Sequence, residues 1–519
     1  MRSRHLKLSD MREISMPKRK WVPKWIGVIT LFLILLNIVL VNGAYLGSSV
    51  DVSSALGSVN EDIMMSFYAC SVGMVIANPL VQKVRQIMTT KTLLLIDIAL
   101  QCAFSLICAK TTSMPLMICC CFLIGMLKTF LLLEFIILTS PLFTPRNVRS
   151  ESYSWFYPLV FGGGQFSIPL TAWIAYNYTW QHTYYFVIIL LLLTMAMIAL
   201  FFRDARPPKM KLLKEINFRS IFLISISYLV LAYAFIYGKM LDWTNSDLVM
   251  SLLTTGVCLL GIFIYHQTRS EKPYISFRPI KNMKSVIGYL FMFFCVFFNS
   301  DTALVNGYIT GVLGIDNIHA NLLVLWTVPG YIIAGVIAFW WFRLQRWRFR
   351  YLVSTAMWMY TLYFGFLYWG ITPYSAYQSL FVPMIIKGFA FMTLVISFGV
   401  YAAEDVDSPY LVSNTFFMIS TRSVFAPVIS MASLSTMLYH AQVRSMTRLA
   451  EYFTPEIMQP DVTVESLYNF VNLQSHLAST KTVLGYLLIA STILAAVSAI
   501  TPFHKALRIP ILKAGQDMA

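Results

Sequence analysis

Charged side chains are scarce in this chain. Only 12% of its 519 residues are Asp, Glu, Lys or Arg, whereas 58% are hydrophobic. The mean hydropathy of +0.68 corresponds to more apolar surface than the core of one water-soluble domain can bury. This shortage of charge excludes an ordinary soluble domain and indicates that lipid surrounds most of the chain.

The short motifs of the common enzyme classes are also missing. The sequence contains no P-loop G-x-x-x-x-G-K-[ST], no G-x-S-x-G, no H-E-x-x-H and no C-x-x-C. Its seven histidines are scattered without the spacing of metal ligands. We therefore predict a protein that is not an enzyme and carries no cofactor or metal. Since a nucleotide site is missing too, any transport would have to be driven by an ion gradient.

The eight cysteines give no sign of disulfides, because all of them lie in apolar stretches. Three are adjacent, at Cys119–Cys121. Adjacent residues of a helix point about 100° apart, so these thiols cannot share one metal ion. We interpret them as small packing residues.

Long apolar runs are what the sequence has in abundance. A run of about 20 residues lets a helix cross the ~30 Å hydrocarbon layer of a membrane. Fourteen such runs lie near residues 25–45, 63–82, 92–109, 115–138, 153–175, 183–202, 220–238, 247–266, 285–305, 319–341, 351–370, 377–402, 411–437 and 482–502. We therefore predict an all-α polytopic membrane protein with fourteen transmembrane helices.

Basic residues are distributed unevenly between alternate loops. With the N-terminus in the cytoplasm, inside segments hold 31 of the 39 Lys and Arg residues and outside loops hold five. Such an excess in cytoplasmic loops is the usual signature of membrane orientation. It predicts a multi-pass protein of the inner cell membrane with both termini cytoplasmic. It also assigns the net charge of +16 to orientation rather than to nucleic-acid binding.

Two basic stretches divide the runs into groups of six, two and six, since residues 203–219 follow six runs and residues 267–284 follow eight. The predicted units are a basic N-terminus, a six-helix half, two extra helices with basic linkers, a second six-helix half and a tail: 1–24, 25–202, 203–284, 285–502 and 503–519. One predicted outside loop, 438–481, is long. It is interpreted either as a docking surface for a periplasmic adaptor or as a capping linker.

Several stretches are similar to motifs of one transporter family. NIVLVNGAYL in the first run resembles D-x-T-I-V-N-V-A-L-P, with Asn42 on the motif asparagine and Asn37 on its acid. SIPLTAW in the fifth run resembles G-P-x-x-G-G and keeps the proline as Pro169. Arg422 falls on the arginine of N-x-x-R-x-x-x-G-S, and residues 308–330 resemble the segment that joins the ninth and tenth spans. With its 6+2+6 order, the chain resembles the fourteen-helix drug:proton antiporter branch of the major facilitator superfamily.

This resemblance implies a major facilitator-type bundle that works by alternating access, with a site between two six-helix halves. Two motifs depart from the family. The loop motif G-x-L-x-D-R-x-G-R-R is replaced by NPLVQKVRQIMTTK, without an acid. In the fourth span, R-x-x-Q-G becomes Gly125-Met-Leu-Lys128-Thr129. Substrate and coupling ion must therefore be argued from this chain's own residues.

Two lysines lie deep in apolar runs. Lys128 lies ~16 Å from the nearer end of its predicted span, too deep for its side chain to reach the interface. Lys387 is similarly deep in IIKGFAF. Charges in lipid cost about 2.5–3.5 kcal/mol each and normally face a cavity or a partner. The resemblance places both lysines, with Asn37 and Asn42, on cavity-lining helices, so we predict that these four residues bind an acidic or amphipathic substrate.

Buried carboxylates are candidates for proton coupling. Asp301, in the outer part of the ninth run, is the first candidate, since a partly buried carboxyl can act as a proton carrier. Glu134 is the second, with an anchoring or gating role as the alternative; it lies about 120° around the helix from Lys128, so the two are not a pair on one face. Three further residues are predicted to be structural or gating: Asp97, Arg422 and Pro169.

The function predicted from these observations is secondary active transport, with proton-driven export of an amphipathic or partly anionic organic compound as the leading hypothesis. The expected partners are that small molecule, protons and the lipid bilayer. One alternative is an organic-anion transporter that does not use proton antiport. Another is a membrane receptor or assembly subunit that keeps the fold without transporting.

Overall fold

Helices and the loops between them make up the described part of the chain, in which no β-strand occurs. The computed structural model describes residues 19, 21–43, 47–85, 87–144, 148–203, 217–270, 273–344, 348–452 and 463–503. The predicted N-terminal segment lies almost wholly outside these ranges, and the predicted tail does so beyond Phe503.

The helices follow from the apolar composition, since lipid offers no partner for a main-chain N–H or C=O and a helix pairs both internally. Up to residue 201 they are α1 (Lys24–Gly43), α2 (Ser49–Leu56), α3 (Asn60–Val84), α4 (Thr90–Lys110), α5 (Met114–Phe143), α6 (Arg149–Asn177) and α7 (Gln181–Phe201). Then come α8 (Phe218–Tyr237), α9 (Asp247–Arg269), α10 (Arg278–Lys281), α11 (Met283–Asn299), α12 (Thr302–Gly311), α13 (Asn317–Leu323) and α14 (Thr327–Leu344). The last are α15 (Phe349–Gly370), α16 (Phe381–Tyr401), α17 (Leu411–Ser420), α18 (Ala426–Glu451) and α19 (Val464–Ile500).

Each of the fourteen predicted spans overlaps a helix or two consecutive helices of this series. Within the described ranges, eleven helical segments are long and apolar enough to cross a membrane, and Trp25–Val41 is a shorter apolar helix. The chain is therefore a multi-pass membrane protein.

Two of the predicted spans are interrupted in ways that hydropathy did not indicate. The ninth run was expected to be continuous, but α11 ends at Asn299 and α12 begins at Thr302. The thirteenth contains a π-helical turn at Thr421–Phe425 between α17 and α18. Hydropathy reports the apolar character of a segment and not its hydrogen-bond pattern, so it cannot locate such changes.

The segment predicted as the long loop 438–481 is largely helical. Helix α18 continues to Glu451 and α19 starts at Val464, so both helices extend past the predicted ends of their spans. Polar contacts join the two extensions. Nε2 of Gln442 lies 3.0 Å from Nε2 of His476, and the hydroxyl of Ser475 donates to the main-chain carbonyl of Gln442. The helices thus outlast the apolar runs because they continue to pack against each other.

The packing of the first six long helices recurs in the last part of the chain. In the first set α3 packs on α5, α4 on α5 and α7, and α1 on α5, α6 and α7. In the second set α14 packs on α16, α15 on α16 and α19, and the α11–α12 pair on α16, α18 and α19. The second set therefore repeats the first in the same order, which places each helix at the same position in its own bundle.

Two tight helix crossings at glycines occupy equivalent places in the two bundles. A Cβ on Gly125 of α5 would lie 1.9 Å from the carbonyl oxygen of Cys70 in α3. A Cβ on Gly388 of α16 would lie 2.2 Å from the carbonyl oxygen of Thr327 in α14. Only glycine permits backbones to approach this closely, as is usual where membrane helices cross.

The two bundles meet mainly through α6, which packs on α14 and α16, and through α3, which packs on α17. Where α6 and α14 cross, a Cβ on Gly335 would lie 2.7 Å from the carbonyl oxygen of Ser154. The intervening helices α8 and α9 pack on each other, and α8 also contacts α3 and α18. Helices α8 and α9 therefore lie beside the junction of the bundles.

Candidate functional site

The interruption between α11 and α12 places a carboxylate inside the second bundle. Asp301 occupies the residue before α12 and is fully buried, but its side chain makes no hydrogen bond to the helix start. Its main-chain carbonyl instead accepts the first bonds of α12, from the amides of Leu304 and Val305. The carboxylate is thus left to contact the neighbouring helices α15 and α16.

Three side chains satisfy this carboxylate or extend its contacts. Nζ of Lys387 lies 2.5 Å from one carboxylate oxygen of Asp301, and the hydroxyl of Tyr363 donates to the other at 2.6 Å. Nζ of Lys387 also donates to Oγ1 of Thr302 at 3.1 Å. We call these four residues the Asp301 cluster. Since the Lys387 and Asp301 side chains are 3% and 0% exposed, the cluster is a charge-balanced pair removed from solvent.

The cluster joins two residues that the sequence suggested for separate roles. Lys387 was predicted to meet the substrate and Asp301 to carry protons, yet the structure places them in direct contact across 86 residues of sequence. Any change in the charge of one therefore acts at once on the other.

Lys128 lies in a different environment in the first bundle. Its Nζ donates to the carbonyl of Val41 at 3.2 Å, in the last turn of α1, where the helix dipole favours a cation. The side chain is 4% exposed. With Ser66 and Tyr184 it lines a cavity of about 40 Å³. Lys128 therefore contacts the end of a helix in the first bundle, whereas Lys387 contacts a carboxylate in the second.

The two lysines nevertheless lie within one helical turn of corresponding glycines, on opposite sides of them. Lys128 lies one turn after Gly125 on α5 and reaches α1, whereas Lys387 precedes Gly388 on α16 and reaches α12. Each glycine crossing fixes the helix beside its lysine. Lys387 pairs with a carboxylate, and Lys128 donates to a main-chain carbonyl.

Of the two asparagines predicted to bind substrate, Asn37 joins two helices of the first bundle. Asn37 is buried in α1, and its amide donates to Oγ1 of Thr194 in α7 at 3.4 Å. This contact joins two helices within the first bundle. The side chain of Asn42 lies outside the described part of the structure.

Glu134 is paired where α3 ends. Nε of Arg85, the residue after that helix, lies 2.5 Å from Oε1 of Glu134, and the carboxylate side chain is 1% exposed. The pair joins α3 to α5 close to the loop between α3 and α4. The ion pair ties α5 to the end of α3, and both roles predicted for Glu134, proton coupling and anchoring or gating, stay predictions.

The residues predicted to be structural or gating lie in three separate places. Asp97 is buried in α4 and accepts a 3.0 Å hydrogen bond from the amide of Gln101. Pro169 is buried within α6, which continues through it. Arg422 lies in the π-helical turn, half-buried, with its guanidinium carbon 5.5 and 5.3 Å from the ring centroids of Tyr157 and Phe161 in α6.

Arg422 is the residue whose position the sequence indicated least. It belongs to the second bundle but contacts aromatic rings of the first. Within the described ranges no carboxylate lies within 4.0 Å of it. The sequence shows Arg422 in the middle of an apolar run. That position indicates how deep in the membrane the residue lies, but not which helix its side chain faces. The described residues also contain no group of three or more His, Cys, Asp or Glu side chains that could hold a metal ion.

Comparison with known families and structures agrees with this architecture. Residues 25–431 match the family model described as Major Facilitator Superfamily. A POT family transporter solved with a thioalcohol-conjugated peptide has a similar fold, with a TM-score of 0.57 and 12% identity over 91% of this chain and 96% of that one. A point mutant of the nucleoside transporter NupG gives 0.55 and 12% over 91% and 98%.

The human organic anion transporter MFSD10 gives a TM-score of 0.50 and 13% identity over 90% of this chain and 98% of that one. Identities this low establish a shared fold and leave the transported compound open. Comparison with curated proteins finds no match.

Proposed function

Because the chain belongs to the Major Facilitator Superfamily, we propose that it is a secondary active transporter that moves a partly anionic, amphipathic organic compound in a proton-coupled step. The observation that carries this proposal is the Asp301 cluster, a buried charge pair at an interrupted membrane helix. Interrupted helices with ionisable side chains mark substrate and ion sites in transporters of several folds.

The proposed arrangement is fourteen spans in a 6+2+6 order, with both termini on the cytoplasmic face of the inner cell membrane. The repeated packing of the two helix sets supports the two six-helix halves, and α8 and α9 are the inserted pair. The excess of Lys and Arg in alternate loops supports the orientation.

Charge balance in the Asp301 cluster suggests how proton and substrate are linked. While Asp301 is ionised it neutralises Lys387, so an anionic substrate gains little from the ammonium group. A proton on Asp301 removes that attraction and leaves a buried ammonium group without a counter-charge, which is unfavourable. The negative charge of a substrate bound beside the cluster restores the balance. Proton and anion therefore bind in the same step, and the cluster remains neutral for a monovalent anion.

This coupling favours co-transport of an organic anion with a proton over export by proton antiport. Proton antiport is the second candidate and is supported by the resemblance to the drug:proton antiporter branch. In antiport the substrate would displace the proton, so the two would occupy the site alternately. The two mechanisms predict opposite effects of acid on the side from which the substrate is taken.

Transport in proteoliposomes tests the proposal. Purified protein is reconstituted and presented with a panel of radiolabelled aromatic and aliphatic carboxylates under imposed pH gradients and potassium diffusion potentials. We expect acid on the side of the substrate to accelerate uptake, and the membrane potential to leave uptake of a monovalent anion unchanged. Acceleration by acid on the opposite side would instead establish antiport.

Two variants examine the role of the cluster. Asp301→Asn should abolish the response to the pH gradient while leaving exchange of labelled for unlabelled substrate. Asp405→Asn is the matched control, since Asp405 also pairs with a lysine at 2.5 Å but is 41% exposed. Normal gradient response in Asp301→Asn would exclude the cluster from coupling. A receptor or assembly subunit would transport none of the panel and would lose a protein partner when the segment 438–481 is removed.

A further inference from the structure

Arg422 differs in its surroundings from three other cations that are largely shielded from solvent. Lys387 pairs with Asp301, Lys128 contacts a helix C-terminus and Arg85 pairs with Glu134. Arg422 lies over two aromatic rings, and no carboxylate of the described residues is within 4.0 Å of it. A guanidinium has five N–H donors, and a ring face accepts through its π-electrons without pairing those donors as a carboxylate does.

The location of Arg422 fits a ligand site. It follows Leu411, the start of α17, by eleven residues, or ~16 Å along the helix axis. It therefore lies near the middle of its span, where an uncompensated charge is costly unless a cavity or ligand meets it. The π-helical turn at Thr421–Phe425 is a second indication, because such turns occur often at functional sites.

The aromatic partners connect Arg422 to both bundles. Tyr157 and Phe161 belong to α6, whereas Arg422 belongs to the second bundle. The ring of Phe161 packs edge-on against Phe391 of α16, with 5.5 Å between centroids. Phe391 is four residues after Lys387 and therefore lies one turn away on the same face of α16. The arginine thus adjoins an apolar surface that leads toward the Asp301 cluster.

We propose that Arg422, Tyr157 and Phe161 form the subsite that binds the anionic group and adjoining aromatic part of the transported compound. The planar guanidinium would bind a carboxylate with two parallel N–H···O bonds, a geometry that lysine cannot reproduce. The rings of Tyr157 and Phe161 would contact the apolar part. This inference rests on the proposed function for its substrate class, but its binding step requires neither a pH gradient nor turnover.

Binding by the full-length protein in nanodiscs tests the subsite. The probes are radiolabelled 2-naphthoate and the neutral amide of the same ring, 2-naphthamide, with 2-naphthalenesulfonate and 2-naphthyl phosphate as further anions. We expect the wild-type protein to bind at least one anion more tightly than the amide. Failure of all three anions to bind would overturn the proposal.

The variants separate charge, geometry and folding. We expect Arg422→Gln to weaken anion binding by at least tenfold and to leave amide binding unchanged. Arg422→Lys, which keeps the charge, should weaken anion binding about three- to tenfold. Lys284→Gln is the matched control, since it removes a cation from the exposed pair with Asp405, and it should bind as wild type. Wild-type anion affinity in either Arg422 variant would overturn the subsite, as would an equal loss for anion and amide.

Failure of the subsite and failure of the proposed function give different results. Asp301→Asn should lose coupling to the pH gradient but keep binding that depends on Arg422. If naphthoate binds through Arg422 and no compound is transported by any reconstituted variant, the subsite stands and the proposed function falls. If gradient-driven transport of an anion persists in Arg422→Gln with an unchanged KM, the subsite alone is excluded. Should Arg422→Gln fail to fold, the Arg422→Lys comparison decides the question.

Discussion

Separating Asp301 from Lys387 should destabilise the protein in a way that depends oppositely on pH for the two partners. In Lys387→Met the buried carboxylate loses its counter-charge, and in Asp301→Asn the buried ammonium group does. Removal of one member of a buried ion pair typically destabilises a protein by about 3–5 kcal/mol, because the charge of the other member is left uncompensated.

The cost has a ceiling, because the orphaned group can become neutral. Protonating an ordinary carboxyl at pH 7 costs about 4 kcal/mol, and deprotonating an ordinary lysine costs about 5 kcal/mol. Each pH unit changes these values by about 1.4 kcal/mol. The penalty in Lys387→Met should therefore fall to about 1.5 kcal/mol at pH 5, and that in Asp301→Asn to about 2 kcal/mol at pH 9.

Thermal unfolding of the purified variants at pH 5, 7 and 9 measures these differences, each referred to wild type at the same pH. Lys387→Met should approach wild type as the solution becomes acidic, and Asp301→Asn as it becomes alkaline. The double variant should be more stable than either single variant at pH 7, since it leaves no unpaired charge. Parallel pH trends in the two single variants, or simple additivity in the double variant, would refute a charge-balanced pair.

Two further predictions concern helix contacts. Gly388→Val should destabilise the protein by more than about 3 kcal/mol, because the added atoms would clash with the carbonyl of Thr327. Gly164→Ala is the control and should leave stability unchanged, because there is open space where its Cβ would lie. Equal unfolding temperatures for the two variants would contradict the close helix crossing at Gly388. Arg85→Gln should destabilise the protein by about 3 kcal/mol, because it removes the cation that pairs with the buried carboxylate of Glu134; an unfolding temperature equal to that of wild type would argue against this ion pair.

The helical positions were largely predictable because lipid forces the backbone to pair within each segment. A run of apolar residues therefore marks a helix almost by itself. The predicted helix ends were wrong where a helix continues beyond its apolar run. Helix α18 continues to Glu451 and α19 begins at Val464, since packing stabilises helix beyond the apolar run. The interruption of the ninth span at Asp301 was not predicted either, because it changes the main-chain hydrogen bonding without changing the hydropathy.

The candidate site was predictable as a set of residue types and not as a set of contacts. An ionisable side chain in an apolar run is unusual enough to be noticed in one sequence, which identified Lys128, Lys387 and Asp301. Their partners depend on how distant helices pack, so neither the Asp301–Lys387 pair nor the aromatic faces under Arg422 could be derived from spacing. The family resemblance alone placed Lys128 and Lys387 on corresponding cavity-lining helices of the two six-helix halves.

The glycine crossings bear on how the protein can move. At Gly125 and Gly388, backbone touches backbone within a bundle, so the joined helices cannot slide or turn separately. Between the bundles, the backbones of α6 and α14 also approach closely at Gly335, whereas Arg422 and Phe161 contact their partners through the ends of their side chains. Gly335 is thus placed to serve as a pivot. Each bundle would then rock as a rigid block about it, and the aromatic contacts would slip.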